Sequence, residues 1–271
     1  MKPRPFDYVR PDTVEEAVAL LAEYGDDARI LAGGQSLLPM LNLRLLDVGV
    51  LIDISRIAEL DGISERDGAI EIGAAATQNQ LMAWPQLLQK LPLAAAALPF
   101  VGHFQTRNKG TVCGSIAHAD PSSELALTLA VLGGEVVLRS QRGTRTLAAS
   151  EFQQDMLTTA RAPDELIVAV RFPVVAGQGV AFREVARRHG DFAIVAVAAV
   201  VETDGAVRLG VGGMAGKPMV RRIDGDAVSA VHEWAEELEG FEDLHASPEL
   251  RRDLFRNLAP LVIEEAEKCA A

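Results

Sequence analysis

Apolar positions along this chain change their period several times, and each change marks a predicted element. In "PDTVEEAVALLAEYG" the apolar residues Val14, Ala17, Val18 and Leu21 fall on one helical face. Thr13 and Glu16 have the spacing of a capping box, and Gly25 suits a helix stop. Phe6 to Val9, Ala28 to Leu31 and "VGVLIDIS" are strand-length runs around that helix. A second α/β stretch follows. "GAIEIGAAA" reads as a strand, Thr77 and Gln80 repeat the capping spacing before Leu81, Met82 and Trp84, and an alanine-rich helix covers Leu91 to Leu98. "NKGTVCGSIAHADPSSE" reads as a loop of small residues, "SSELALTLAVLGG" as a helix, and "EVVLRS" and "ELIVAVRFP" as strands.

After Pro173 the texture changes. "VVAGQG" has a linker's composition, and "GVAFREVARRHG", "FAIVAVAAVVET" and "AVRLGVGGMA" predict an antiparallel meander. The tail predicts a helix capped at Ser247-Pro248-Glu249, with Leu250, Leu254, Leu258 and Leu261 as its stripe. The expected fold class is α+β. An α/β unit spans residues 1–173, in two parts (1–58 and 59–173), and a smaller unit spans 177–271.

Composition changes this picture little. The chain has 271 residues, 49% hydrophobic and 24% charged, which suits about two folded domains. A net charge of −12 argues against a nucleic-acid surface, which needs clustered Lys and Arg. Cys113 and Cys269 form neither a disulfide framework nor a metal spacing. "MKPRPF" has no apolar signal core, and no apolar run approaches the ~18 residues of a membrane span. The expected compartment is the cytoplasm.

Candidate chemistry lies in two loops, Ala32-Gly33-Gly34-Gln35-Ser36 and Gly110-Thr111-Val112-Cys113-Gly114-Ser115. Glycines let main-chain N–H groups face outward, and successive N–H groups form an anion-binding nest. Ser36, Thr111 and Ser115 add hydroxyl donors. Two such loops could hold a pyrophosphate without a lysine; each could also be an ordinary tight turn. Neither is a Rossmann fingerprint or a P-loop, since G-x-G-x-x-G and G-K-[ST] are both missing.

With these residues in view, "LAGGQSLLPMLNLRL", "NKGTVCGSIAHADPSSEL" and "AFREVARRHGDFAIV" resemble the three signatures of the FAD-binding medium subunit of molybdenum hydroxylases. That family includes carbon monoxide dehydrogenase, xanthine dehydrogenase and bacterial N-heterocycle hydroxylases. The resemblance implies a two-part flavin domain of the vanillyl-alcohol-oxidase/PCMH-like kind, then a C-terminal domain of a three-stranded antiparallel sheet plus helices. It implies that Ile30, Leu31, Ala32, Gly33, Gly34, Gln35, Ser36 and Leu37 wrap the FAD pyrophosphate, with Thr111, Gly114 and Ser115 opposite. Glu124 matches a carboxylate that hydrogen-bonds the cofactor, Val101 packs near it, and Ile167 lies at the flavin or adenine end. Arg183 stands where relatives carry Lys, and Phe192 matches a residue covering the isoalloxazine ring. His118 and Asp120 line the same cavity. The sequence departs from T-I-G-G-N: Cys113 replaces the first glycine and Ser115 replaces Asn.

The resemblance further implies that no residue of this chain is catalytic in the covalent sense. Substrate would be hydroxylated at a molybdenum cofactor on a large subunit. Electrons would pass through [2Fe–2S] clusters of a small subunit to the FAD of this chain, then to an external acceptor, in a dimer of heterotrimers. This chain lacks the four thiolates that one cluster needs. Two other readings stand beside this one: a self-contained flavin reductase like UDP-N-acetylenolpyruvoylglucosamine reductase, and a non-enzymatic nucleotide-binding module. Cys113 reads as a packing thiol, Cys269 as inert and His103 as a structural histidine. The segment "VARRHGD" reads equally as a solvated hairpin or as an anion patch.

Overall fold

The computed structural model describes residues 2–174 and 177–270, so Val175 and Ala176 of the predicted linker lie outside the described residues. The opening segment folds as β1 (Asp7–Val9), α1 (Val14–Tyr24), β2 (Ala28–Leu31), α2 (Leu37–Asn42) and β3 (Val50–Asp53). Its sheet is parallel, in the order β1-β3-β2, with Ile30 opposite Ile52. All three strands therefore end on one edge, and the first glycine loop leaves the end of β2 there. The predicted stripe Val14, Ala17, Val18 and Leu21 is buried. The capping box forms only in part. Thr13 Oγ1 accepts from the Glu16 amide (3.2 Å), but the Glu16 carboxylate accepts from Asp12 N–H (2.8 Å), one residue before the cap.

The next segment comprises β4 (Ile63–Arg66), β5 (Ala69–Gly73), α3 (Gln78–Met82), α4 (Leu87–Lys90), α5 (Pro92–Ala97), α6 (Phe104–Arg107), α7 (Val112–His118), α8 (Glu124–Val131), β6 (Glu135–Ser140), β7 (Gly143–Ala148), α9 (Ala149–Phe152), β8 (Gln153–Asp155), β9 (Thr158–Thr159) and β10 (Leu166–Pro173). Five strands form an antiparallel sheet in the order β4-β5-β10-β6-β7. Here the full capping box at Thr77 and Gln80 is present. The second glycine loop departs from expectation: its second half, from Val112, is helical, because Thr111 caps it.

The remainder holds β11 (Val180–Val185), β12 (Val195–Val201), β13 (Val207–Gly212), β14 (Met219–Ile223), α10 (Ala227–Glu237) and α11 (Pro248–Ala270). The predicted meander is there, but with four strands in sequence order rather than three. The added edge strand, "MVRRI", hides behind two arginines that pair with Glu237, Glu202, Asp204 and Asp224. β12 is apolar throughout because both of its faces are covered. Val195, Val197 and Ala199 join a core with α10 and α11, whereas Ala196, Ala198 and Val200 join the core of the first 173 residues. The predicted stripe of α11 holds in part: Leu254 and Leu258 pack against the core, at the margin of the buried face. Arg251, Phe255, Ala259, Val262, Ile263 and Ala266 are buried, and Leu250 and Leu261 are exposed. Among the described residues no helix is long and apolar enough to cross a membrane.

Candidate functional site

The two glycine loops meet backbone to backbone. A Cβ on Gly33 would stand 2.0 Å from the Lys109 carbonyl oxygen and 2.8 Å from Gly110 Cα. A side chain at 33 would therefore push the loops apart, so this glycine is required by the protein itself. Gly34 has φ +69°, the left-handed region, and its carbonyl accepts from Leu38 N–H (3.1 Å) as α2 starts. Among the described residues, the amides of Gly33, Gly34, Gln35, Ser36 and Leu37 donate to no protein acceptor. The Gln35 side chain turns back to the Gly33 carbonyl (3.3 Å), and the Ser36 hydroxyl caps nothing. Ile30 and Leu31 are half-buried at the end of β2, with Ala32 and Leu37 on either side of the turn.

The second loop is pinned at both ends of its turn. Gly110 accepts from Gln78 N–H (2.8 Å), and Val112 N–H donates to Ala76 (3.1 Å). Thr111 Oγ1 accepts from the Gly114 amide (2.9 Å), and a Cβ on Gly114 would lie 2.7 Å from that same oxygen. Gly114 thus serves the cap, and its amide is already partnered. Ser115 and Ser123 hydroxyls share a hydrogen bond (2.8 Å), which ties α7 to the start of α8. Cys113 is buried, its thiol donates to Ile72 O (3.4 Å), and burial pushes that thiol above its ordinary range. Such a group is a packing thiol and not a nucleophile.

Next to Ser123, Glu124 begins α8 with only 8% of its surface exposed. Burial, with the charges of Glu184 and Asp120, pushes its carboxyl up to about 8. Glu184 is itself raised to about 7 by burial, and its Oε2 is buried without a partner. Asp120 accepts from Ser122 N–H (2.8 Å), and Ala119 between it and His118 is left-handed at φ +52°. His118 is half-buried at the end of α7. Val101 is buried, and the Val101 and Gly102 carbonyls accept from Arg107 (2.9 Å each). Ile167 is buried in β10 at a register shift against β6.

The third motif reaches this cluster through backbone. Ser122 Oγ donates to the Ala193 carbonyl (2.8 Å), and Gly213 N–H donates to Pro121 (2.9 Å). Next to Ala193, Phe192 leaves 69% of its surface exposed, a large apolar side chain without cover. Gly190 lies against His103, its Cβ position 2.7 Å from that ring. The structure does not bring Arg183 to the loops. Arg183 shares a face of β11 with Ala181, packs toward α11 and pairs with Glu265. Its neighbour Glu184 occupies the opposite face and bears on Glu124. Strand alternation could have found Glu184, since it separates 182 and 184 from 181 and 183.

The donor set is thus neutral: free amides at 33–37, the Ser36 hydroxyl, and no salt-bridged cation among them. A run of neutral, unpartnered N–H groups suits a pyrophosphate, so these residues fit an FAD. Residues 4–175 match the family described as the FAD binding domain in molybdopterin dehydrogenase. The nicotine 6-hydroxylase medium subunit of Paenarthrobacter nicotinovorans is 34% identical over 96% of this chain and 96% of its own. The carbon monoxide dehydrogenase medium chain of Hydrogenophaga pseudoflava is 39% identical over 76% of this chain and 72% of its own. A solved structure of carbon monoxide dehydrogenase from that organism superposes with a TM-score of 0.94 at 32% identity, covering 100% of both chains. The fold and the sequence together define an oxidoreductase chain of mixed α/β architecture. The chain belongs to the FAD-binding family of the molybdopterin dehydrogenases.

Proposed function

We propose that this chain is the FAD-carrying medium subunit of a molybdenum-containing hydroxylase or dehydrogenase, linking the [2Fe–2S] clusters of a small subunit to an external acceptor. Substrate hydroxylation would belong to a large subunit bearing the molybdenum cofactor. When bound, FAD supplies the redox chemistry that passes electron pairs and single electrons between such centres. The residues of this chain bind and orient it. The amides of 33–37 and the Ser36 hydroxyl donate to the pyrophosphate. Thr111 and Ser115 close the opposite side. Val101 and Ile167 give apolar walls, and Phe192 excludes water from the ring. Glu124, held neutral, can donate a hydrogen bond where a carboxylate could only accept. Residues 1–173 would form the flavin domain and 177–271 the C-terminal one.

One observation carries this reading: five consecutive amides lie unpartnered where Gly33 presses against Lys109 and Gly110. The test is to titrate the purified chain with FAD, FMN and riboflavin. FAD should bind at one per chain and riboflavin far more weakly, because only FAD has the diphosphate. Equal affinity for all three would remove the pyrophosphate from these loops. Co-expression with the neighbouring reading frames should yield a complex with both flavin and iron–sulfur absorption; a chain that purifies alone and colourless would count against the assembly.

A further inference from the structure

Arg251 is the largest side chain in the fully buried set, at 1% exposure. A buried guanidinium is tolerated only where its N–H groups find acceptors. Here Nε donates to the Phe241 carbonyl (2.9 Å), Nη1 to the carbonyls of Ile194 (2.5 Å) and Gly213 (2.8 Å), and Nη2 to Asp243 (2.6 Å). The Phe241 ring lies 4.0 Å from Cζ. Asp243 in turn accepts from His245 and Ala246 N–H groups, and Arg187 of the third motif reaches His245 (3.5 Å).

The two carbonyls held by Nη1 belong to segments that the second motif also holds. Ile194 follows Ala193, whose carbonyl takes the Ser122 hydroxyl. Gly213 gives its N–H to Pro121, and its φ of +77° puts its Cβ position 2.4 Å from the Ile194 oxygen. One buried cation therefore fixes, from the side of α11, the same backbone that the Pro121–Ser122 turn fixes from the side of α8. Phe192 lies two residues from that grip.

We propose that Arg251 is a positioning residue for the flavin: by fixing the carbonyls of Ile194 and Gly213 it sets where the segment carrying Phe192 lies against the Pro121–Ser122 turn, and so how far the ring is shielded from water. Lysine cannot replace it, because a single ammonium lacks the fork that spans Ile194, Gly213 and Asp243 together. The inference rests on the flavoprotein reading above.

The test uses the full chain loaded with FAD, as wild type, Arg251→Lys, Asp243→Asn, Phe192→Ala and the Arg251→Lys/Phe192→Ala double variant. The readouts are iodide quenching of flavin fluorescence, flavin midpoint potential, FAD per chain and unfolding midpoint. In Arg251→Lys, quenching should rise to the level of Phe192→Ala, the potential should shift the same way, and the double variant should match either single. Should Arg251→Lys not fold, Asp243→Asn, altered at the half-exposed rim of the network, makes the same comparison to a smaller degree. Wild-type quenching and potential with only a lowered unfolding midpoint would overturn the proposal, as would additive effects in the double variant. A wild-type chain that takes up no FAD would sink the underlying reading, and this inference with it.

Discussion

At the scale of single residues, glycine carries the clearest sequence signal, and its reason changed once the neighbours were known. A glycine at 33 suggests room for a phosphate; the structure puts the Lys109 carbonyl there. Gly33→Ala should therefore destabilise the chain by about 1–3 kcal/mol, the range for overpacking, and lower FAD retention with it. Denaturant unfolding checks this, and an unchanged midpoint would contradict the contact. Glu124 gives a pH prediction. The folded chain holds its proton to about 8 and the unfolded chain only to about 4.5. Stability from the neutral carboxyl is full below the lower value and is lost as pH rises toward the upper one, by an amount on the order of a few kcal/mol. Glu124→Gln should flatten that slope; an unchanged pH–stability profile would place the charge elsewhere.

Among the elements, α7 was hidden in what reads as a loop, because "TVCGSIAH" is short and its glycine and serine lower helix propensity. The Thr111 cap decides it locally. Thr111→Val should cost about 1 kcal/mol, and Thr111→Ser should restore most of it. Equal losses in the two variants would mean that the hydroxyl caps nothing. The stripe of α11 shows the opposite limit. Leu250, Leu254, Leu258 and Leu261 have a sound helical period, yet only Leu254 and Leu258 pack against the core, and the centre of the buried face lies beside them. Period alone gives a helix, and two adjacent faces can share it. The small Ala259 and Ala266 fit the close approach to the sheet, and Arg251 finds its carbonyl partners there.

For the molecule as a whole, the core crosses the break near Pro173. Phe182, Ala196, Ala198 and Val200 belong to the same apolar cluster as α5 and α8. A fragment of residues 177–271 would expose that face to water. It should associate or unfold on size-exclusion chromatography, and a monodisperse folded fragment would show the face to be dispensable. Gly210 marks the contact: a Cβ there would stand 2.2 Å from Val131 of α8. Gly210→Ala should lower the unfolding midpoint and FAD content in one step, because the wedge acts on both sides of the junction.

The sequence by itself determined most of the elements, the two glycine loops, the change of texture after Pro173 and the family, because these depend on local period and on short motifs. Tertiary structure decided which face of α11 is buried, that a fourth strand extends the C-terminal sheet, and that Arg183 turns toward Glu265 while Glu184 turns toward Glu124. It also decided that Gly33 answers to Lys109. Each of these depends on an atom far away in the chain, and neither propensity nor period carries that information.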